Sequence, residues 1–162
     1  MRIKGHQPYR QTMMACVALL IAWPSFANAS STSCIQARIT TATEARVLKL
    51  EVAVSAEERA QGLMHRTTIG PCDGMAFFFP TLKPQSFWMK NTHLPLDLLF
   101  IDASGRIVRI AQGVPMSLEP IRSGIATKSV IEIDAGRAAR EGIAVGDTVQ
   151  YEPHPSLVSP DS

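Results

Sequence analysis

Between Leu48 and Tyr151 the sequence is a succession of short β-forming runs broken by turn residues, and this restricts the chain to a small barrel or sandwich. Leu48, Leu50, Val52 and Val54 alternate with Lys49, Glu51 and Ala53, a period of two that turns one face of a strand to a core. Further β-rich stretches cover Met75–Phe79, Ser86–Lys90, Leu96–Ile101, Ile107–Ala111, Ser129–Ile133 and Thr148–Tyr151. Asp102-Ala103-Ser104-Gly105 joins two of them as a hairpin, with Gly105 free to take a positive φ. Only two places favour a helix. Ser55 and Glu58 make a Ser-x-x-Glu capping pattern ahead of a segment of about two turns that ends at Gly62, and a shorter helix fits around Arg137–Glu141. The regular strand-helix alternation of a parallel sheet is missing. The expected class is mostly β (α+β), a single-domain antiparallel β-barrel or sandwich with one or two short helices.

Residues 1–29 read as a secretory signal that is removed. Arg2, Lys4 and Arg10 supply the positive start, Met13–Ala22 is an apolar run, and Pro24 and Ala27-Asn28-Ala29 follow as the cleavage region. The run is shorter than the roughly 20 residues of a bilayer span, so no stable membrane span is expected in the mature chain. The expected location is periplasmic or secreted. Of 16 Lys and Arg, three leave with the signal, so 13 remain against 14 Asp and Glu, a net of −1. A near-neutral domain has no electrostatic reason to favour nucleic acid, which demands that several phosphates be neutralised. Cys16 leaves as well. The remaining pair, Cys34 and Cys72, enters an oxidising compartment and is expected to form a disulfide. The mature chain, 30–162, is expected to hold one ordered domain over about 34–152, with a flexible proline-broken tail at 153–162.

Five of the seven aromatics in the mature chain, Phe77, Phe78, Phe79, Phe87 and Trp88, fall within twelve positions. Met75–Phe79 has no polar alternation, as expected of a strand covered on both faces. Trp88 adjoins Lys90, Asn91 and Thr92, with Asp97 shortly after Pro95, so an indole, a cation, an amide, a hydroxyl and a carboxylate gather near one chain reversal. They suit a ligand site. They also suit a Lys90–Asp97 ion pair with Asn91 and Thr92 bonded to the turn backbone. Arg66 divides in the same way, between binding an anion and locking a helix to the sheet.

Thioether and imidazole ligands suit copper, and Met64, Met75, Met89, Met116, His65, His93 and His154 are available. They form no close cluster, and Met64, Met75 and Met89 sit in apolar patterns as core filling; no cofactor is expected. Among acids and bases, His65, His93, Asp97, Asp102 and Glu132 compose no recognisable catalytic motif. Nucleophile-elbow, zinc-protease, phosphate-loop and dinucleotide signatures are missing.

The segment Phe87-Trp88-Met89-Lys90-Asn91-Thr92, with Pro95-Leu96-Asp97 and Phe100-Ile101-Asp102, resembles the domain of unknown function 192 family. Gly62-Leu63-Met64 with Arg66, Gly74-Met75 with Phe77 and Phe79, Gly105 with Ile107, Val130 with Glu132, Ala135-Gly136 and Gly146-Asp147 appear in the family's order, so the resemblance covers about 47–151. Ala76 is smaller than is usual there, and Cys34 lies outside the shared block. The resemblance implies a small, mostly β domain, often exported, and no particular reaction. The leading functional expectation is therefore binding of a small molecule, glycan or envelope component at Arg66, Trp88, Lys90, Asn91, Thr92 and Asp97. The alternatives are a small envelope-polymer hydrolase or lyase using Asp97 or Glu132, and a copper-handling protein.

Overall fold

The computed structural model describes residues 34–153. The expected signal, Cys16, His154 and the tail beyond it lie outside the described residues. Seven strands, β1 (Ile35–Thr40), β2 (Ala45–Ala53), β3 (Gly74–Phe87), β4 (Leu96–Ile101), β5 (Ile107–Gly113), β6 (Ile121–Asp134) and β7 (Thr148–Tyr151), form one sheet in the order β5-β4-β6-β3-β2-β1-β7. The sheet curls until its edges meet. Arg106 bridges to Thr148, Val149 N–H donates to the Gly105 carbonyl at 2.7 Å and Ile107 N–H to that of Asp147 at 2.8 Å. Two short helices, α1 (Ala56–Gln61) and α2 (Arg137–Arg140), complete the expected mostly β architecture.

The curl separates two cores. Inside it, every strand contributes: Ile39, Leu48, Ala76, Leu99, Ile107, Ile131 and Val149, with Ala138 of α2 packed among them. Outside it, Met75 and Phe77 of β3, Leu98 and Phe100 of β4 and Val130 of β6 are covered by Leu63 and Ile69 from the segment after α1 and by Met89. The unbroken apolar stretch of β3 thus faces a core on each side, as its lack of alternation predicted. Phe77, Phe79 and Phe100 meet Phe87 edge-on at 5.2, 6.2 and 6.0 Å between centroids. Burying one such side chain stabilises the fold by roughly 1.5–3 kcal/mol.

Helix α1 starts where the capping pattern placed it. Ser55 Oγ accepts the Glu58 N–H, and Glu58 Oε2 accepts the N–H groups of Val54 and Ser55 at 2.9 and 2.8 Å. Those backbone donors hold the Glu58 carboxyl below the usual carboxylate range. Gly62, at φ 47°, ends the helix, and Gly105 turns the hairpin at φ 81°. Cys34 and Cys72 are bonded, with 6.0 Å between their Cα atoms, and tie the start of β1 to the segment between α1 and β3. The disulfide is compatible with an extracellular location, and among the described residues no helix is long and apolar enough to cross a membrane.

Four features depart from the sequence expectations. Ile35–Thr40 is a strand, its Ile35, Ala37 and Ile39 turned inward. Met75–Phe79 and Ser86–Lys90 are not separate; β3 runs unbroken through Pro80 and Pro84 by means of register shifts against β6, and it stops at Phe87, leaving Trp88–Lys90 in a loop. Strand β6 begins eight residues before Ser129 as the partner of that long β3. Finally, β2 and β3 are parallel, because α1 and the disulfide-tied segment carry the chain back to the start of the sheet.

Candidate functional site

Three loops converge over the outer core: residues 62–73, 88–95 and 114–120. His65 N–H donates to the Asn91 carbonyl at 2.7 Å, Met116 N–H to that of Thr92 at 3.0 Å, and Met89 N–H to that of Ser117 at 3.0 Å. Among the described residues the non-glycine positions with positive φ are His65 (63°), Asn91 (54°) and Met116 (62°), one in each of these loops. A side chain in that conformation costs roughly 1–2 kcal/mol. Hydrogen bonds between the loops hold all three in place.

Beside the first two loops lies a pocket of about 40 Å³ whose lining includes Leu63, Phe77, Phe87, Trp88, Thr92 and Glu132. Its size suits a water molecule or one small terminal group. Glu132 lies on β6 between Met75 of β3 and Leu98 of β4, and Met75 pairs in turn with Glu51 of β2, so the four residues form one row across the sheet. The close approach of β3 to β6 beside Glu132 depends on Gly74, where a Cβ would lie 2.1 Å from the Glu132 carbonyl oxygen.

Glu132 is 5% exposed; among the described residues its carboxyl makes no hydrogen bond, and its oxygens open into the pocket rather than being sealed off. Burial pushes its pKa up to about 8, so at neutral pH the group is protonated and offers one O–H donor. Trp88 remains 49% exposed, with the Lys90 Nζ 5.0 Å from its ring centroid. Thr92 is 5% exposed; its hydroxyl donates to the Lys90 carbonyl at 3.2 Å, which leaves the oxygen as an acceptor. An apolar wall, a neutral donor, an acceptor and an open indole, with the Arg59 guanidinium at the rim held by the Val54 and Phe78 carbonyls, together suit an uncharged polar group.

The family model of DUF192, described as an uncharacterized ACR, matches residues 37–151. The chain belongs to the DUF192 family. The match takes in β1, which the resemblance from residue 47 onward left out. A crystal structure of a "putative transcription regulator" from Sinorhizobium meliloti is similar at 39% identity and TM-score 0.70, covering 75% of this chain and 95% of that one. A protein of unknown function from Novosphingobium aromaticivorans is similar at 35% identity and TM-score 0.71, covering 80% and 94%. No curated protein matches.

Within this DUF192 domain the expected site residues separate. Trp88, Lys90, Asn91 and Thr92 share the loop at the pocket. Arg66 does not open into it: its guanidinium grips Glu51 with two bonds of 2.6 and 2.8 Å and donates to the Ile69 carbonyl at 3.0 Å. The Glu51 bond raises the guanidinium pKa further, and the pair locks the segment after α1 onto the sheet. Asp97 lies on the opposite face. It pairs with Ile133, one residue along from Glu132, and successive strand residues point to opposite sides. At 2% exposure its carboxylate accepts the Ala138 N–H at 3.0 Å and seats α2. None of the four ion pairs among the described residues joins it to Lys90.

Asp97 and Glu132 therefore cannot act together across one cleft. Asp102 belongs to its hairpin, accepting from the backbone of Ser104 and Arg106 and from the Ser104 hydroxyl. Met75 and Met89 are core residues, and among the described residues no group of three His, Cys, Asp or Glu could hold a metal. Replacing Asp97 by Ala is expected to cost roughly 1–3 kcal/mol through the stranded Ala138 N–H. The shift in urea midpoint measures that cost, and ligand binding at the pocket should not change with it.

The sequence placed Glu132 among acids and bases but not at the site. The available signal was an acid in the otherwise apolar run Val130-Ile131-Glu132-Ile133, where a strand covered on both faces leaves no solvated position. The left-handed His65 and Met116 carry no such signal.

Proposed function

We propose that the protein is an exported binding domain that holds a small molecule, or the end of an envelope glycan, over Glu132. One observation carries this reading: a carboxyl 5% exposed, without an internal hydrogen-bond partner, lines a pocket that also has a half-open indole in its wall. A carboxyl that is almost buried yet opens into a pocket takes its hydrogen-bond partner from what enters that pocket. Two of the strained residues, His65 and Asn91, are next in sequence to the lining residues Met64 and Thr92. Export is supported by the signal-like residues 1–29 and by the Cys34–Cys72 disulfide.

A nucleic-acid role, which the description of the Sinorhizobium protein suggests, lacks the required charge: 13 Lys and Arg face 14 Asp and Glu in residues 30–162. The polymer-cleaving reading keeps Glu132 alone at the pocket, since Asp97 is turned to the other face.

Native mass spectrometry of the mature protein, purified from its own compartment, tests the proposal. A small molecule should accompany the wild type and be lost from Trp88→Ala, while the melting temperature moves by no more than about 2 °C, as for an exposed side chain. If the wild type carries nothing and extracts of its compartment restore nothing, the binding reading fails.

A further inference from the structure

We infer that the group the pocket accepts is an acetamido group, carried by an N-acetylated amino sugar whose ring lies against Trp88; this deepens the binding reading above and rests on it. The two buried polar side chains lining the pocket offer one donor, the Glu132 O–H, and one acceptor, the Thr92 oxygen whose own hydrogen is engaged by the Lys90 carbonyl, while the more exposed Arg59, Gln61 and Trp88 stand at its rim. Leu63, Phe77 and Phe87 supply apolar walls. A secondary amide ending in a methyl group matches this set: its carbonyl accepts from Glu132, its N–H donates to Thr92, and its methyl group meets the aromatic wall.

Other small groups fit less well. An ammonium would share the pocket with Arg59 of α1, which also lines it. A carboxylate would bring a second acid beside Glu132, and the Arg59 guanidinium that could answer it is already held by the Val54 and Phe78 carbonyls. A lone hydroxyl leaves the apolar wall unfilled. The pocket, at about 40 Å³, admits a terminal group and not the body of a ligand, so the remainder must lie outside. There the open part of the Trp88 indole offers an amphipathic plane for the C–H face of a sugar ring.

Charged side chains stand on several elements around the pocket, and burial alone accounts for the raised Glu132 pKa. Arg59 comes from α1, and Lys90 lies over Trp88 in the loop after β3. The Glu51–Arg66 pair stands in the β2 position of the same row, already closed on itself, while the row's β3 and β4 members are Met75 and Leu98. Ionisation of Glu132 removes the donor to the ligand carbonyl, so affinity should fall about tenfold per pH unit once the pH exceeds its pKa.

The test is titration of the mature protein, in which Trp88 is the sole tryptophan and hence its own fluorescent reporter. The probes are a trisaccharide of N-acetylglucosamine, the same trisaccharide without its acetyl groups, a glucose trisaccharide and N-acetylalanine amide. The acetylated sugar should bind at least tenfold more tightly than the other three. Glu132→Gln, which keeps an N–H donor, should stay within about threefold of wild type and lose the fall in affinity between pH 7 and 9.5; Trp88→Ala should weaken binding at least tenfold while melting as the wild type does.

Equal binding of all the sugars, or none by the acetylated one, overturns the acetamido assignment. N-acetylalanine amide binding as tightly as the sugar overturns the choice of a sugar. If the acetylated sugar is ignored while mass spectrometry finds another molecule that Trp88→Ala releases, only the ligand class is wrong. An empty wild-type protein in both experiments removes the binding reading as well.

Discussion

Replacing Glu132 by Gln is expected to stabilise the protein by roughly 3 kcal/mol at pH 7 and to flatten its stability above pH 5. In the unfolded chain the carboxyl titrates at its ordinary value of 4.5, whereas in the fold burial moves it to about 8. Between these values the folded state holds a proton that the unfolded state has released. Wild-type stability is therefore fully present below pH 4.5, declines as pH rises and stops declining near pH 8. Each pH unit in that window costs about 1.4 kcal/mol. Gln has no proton to exchange and escapes the decline. Three other carboxyls act in the opposite sense. Glu58 and Asp102 are held low chiefly by a backbone bond and by the Ser104 hydroxyl, respectively; Asp73 is held low by the Lys49 N–H and Arg137, which outweigh its burial. Their contributions are present above the usual carboxylate range and fade in acid. Wild type should consequently have a narrow optimum on the acid side of neutrality. Melting temperatures of both proteins from pH 3 to 9 test this. Parallel curves above pH 5 would show that Glu132 ionises in the fold as it does in water, and the neutral donor would be lost.

Breaking the Cys34–Cys72 bond should cost about 4 kcal/mol, the chain-entropy value for closing a loop of this length. The 38-residue separation spans β1, β2, α1 and most of the segment after α1. Without the link the unfolded chain gains freedom, while native β1 keeps its pairing on both sides, to β2 and to β7. The expected result is a fold that persists but denatures at clearly lower urea, both in Cys34→Ala/Cys72→Ala and in reduced wild type. The bond also anchors the segment carrying Leu63 and Arg66, so pocket occupancy should weaken with it. An unchanged urea midpoint on reduction would mean that the bond does not constrain the unfolded ensemble.

Legibility differed from element to element for identifiable reasons. The α1 cap was readable because Ser55 and Glu58 satisfy backbone donors within one turn, and the hairpin because Gly105 relieves a local backbone requirement. Strand β4 was readable from its apolar run, and the disulfide from two cysteines in a chain with a signal-like start. The joined β3 was not, since Pro80 and Pro84 look like breaks and are accommodated only by irregular register against β6. Strand β1 does alternate in sequence, yet its identity as a strand depends on being held between β2 and β7.

The polar cluster shows the same division. Trp88, Lys90, Asn91 and Thr92 stay together because they are neighbours in the chain. Asp97 leaves them because strand parity turns it toward α2, and Glu132 arrives because the pairing of β3, β6 and β4 sets it beside Met75 and Leu98. By itself the sequence determined the features that short-range chemistry dictates: a mostly β domain, its caps and turns, the cysteine pair, the aromatic wall and the family. Only the tertiary structure decided which carboxyl reaches the pocket, because the face on which a side chain emerges is set by register between strands far apart in the chain, and a slip of β4 by one residue against β6 would bring Asp97 to the same face as Glu132.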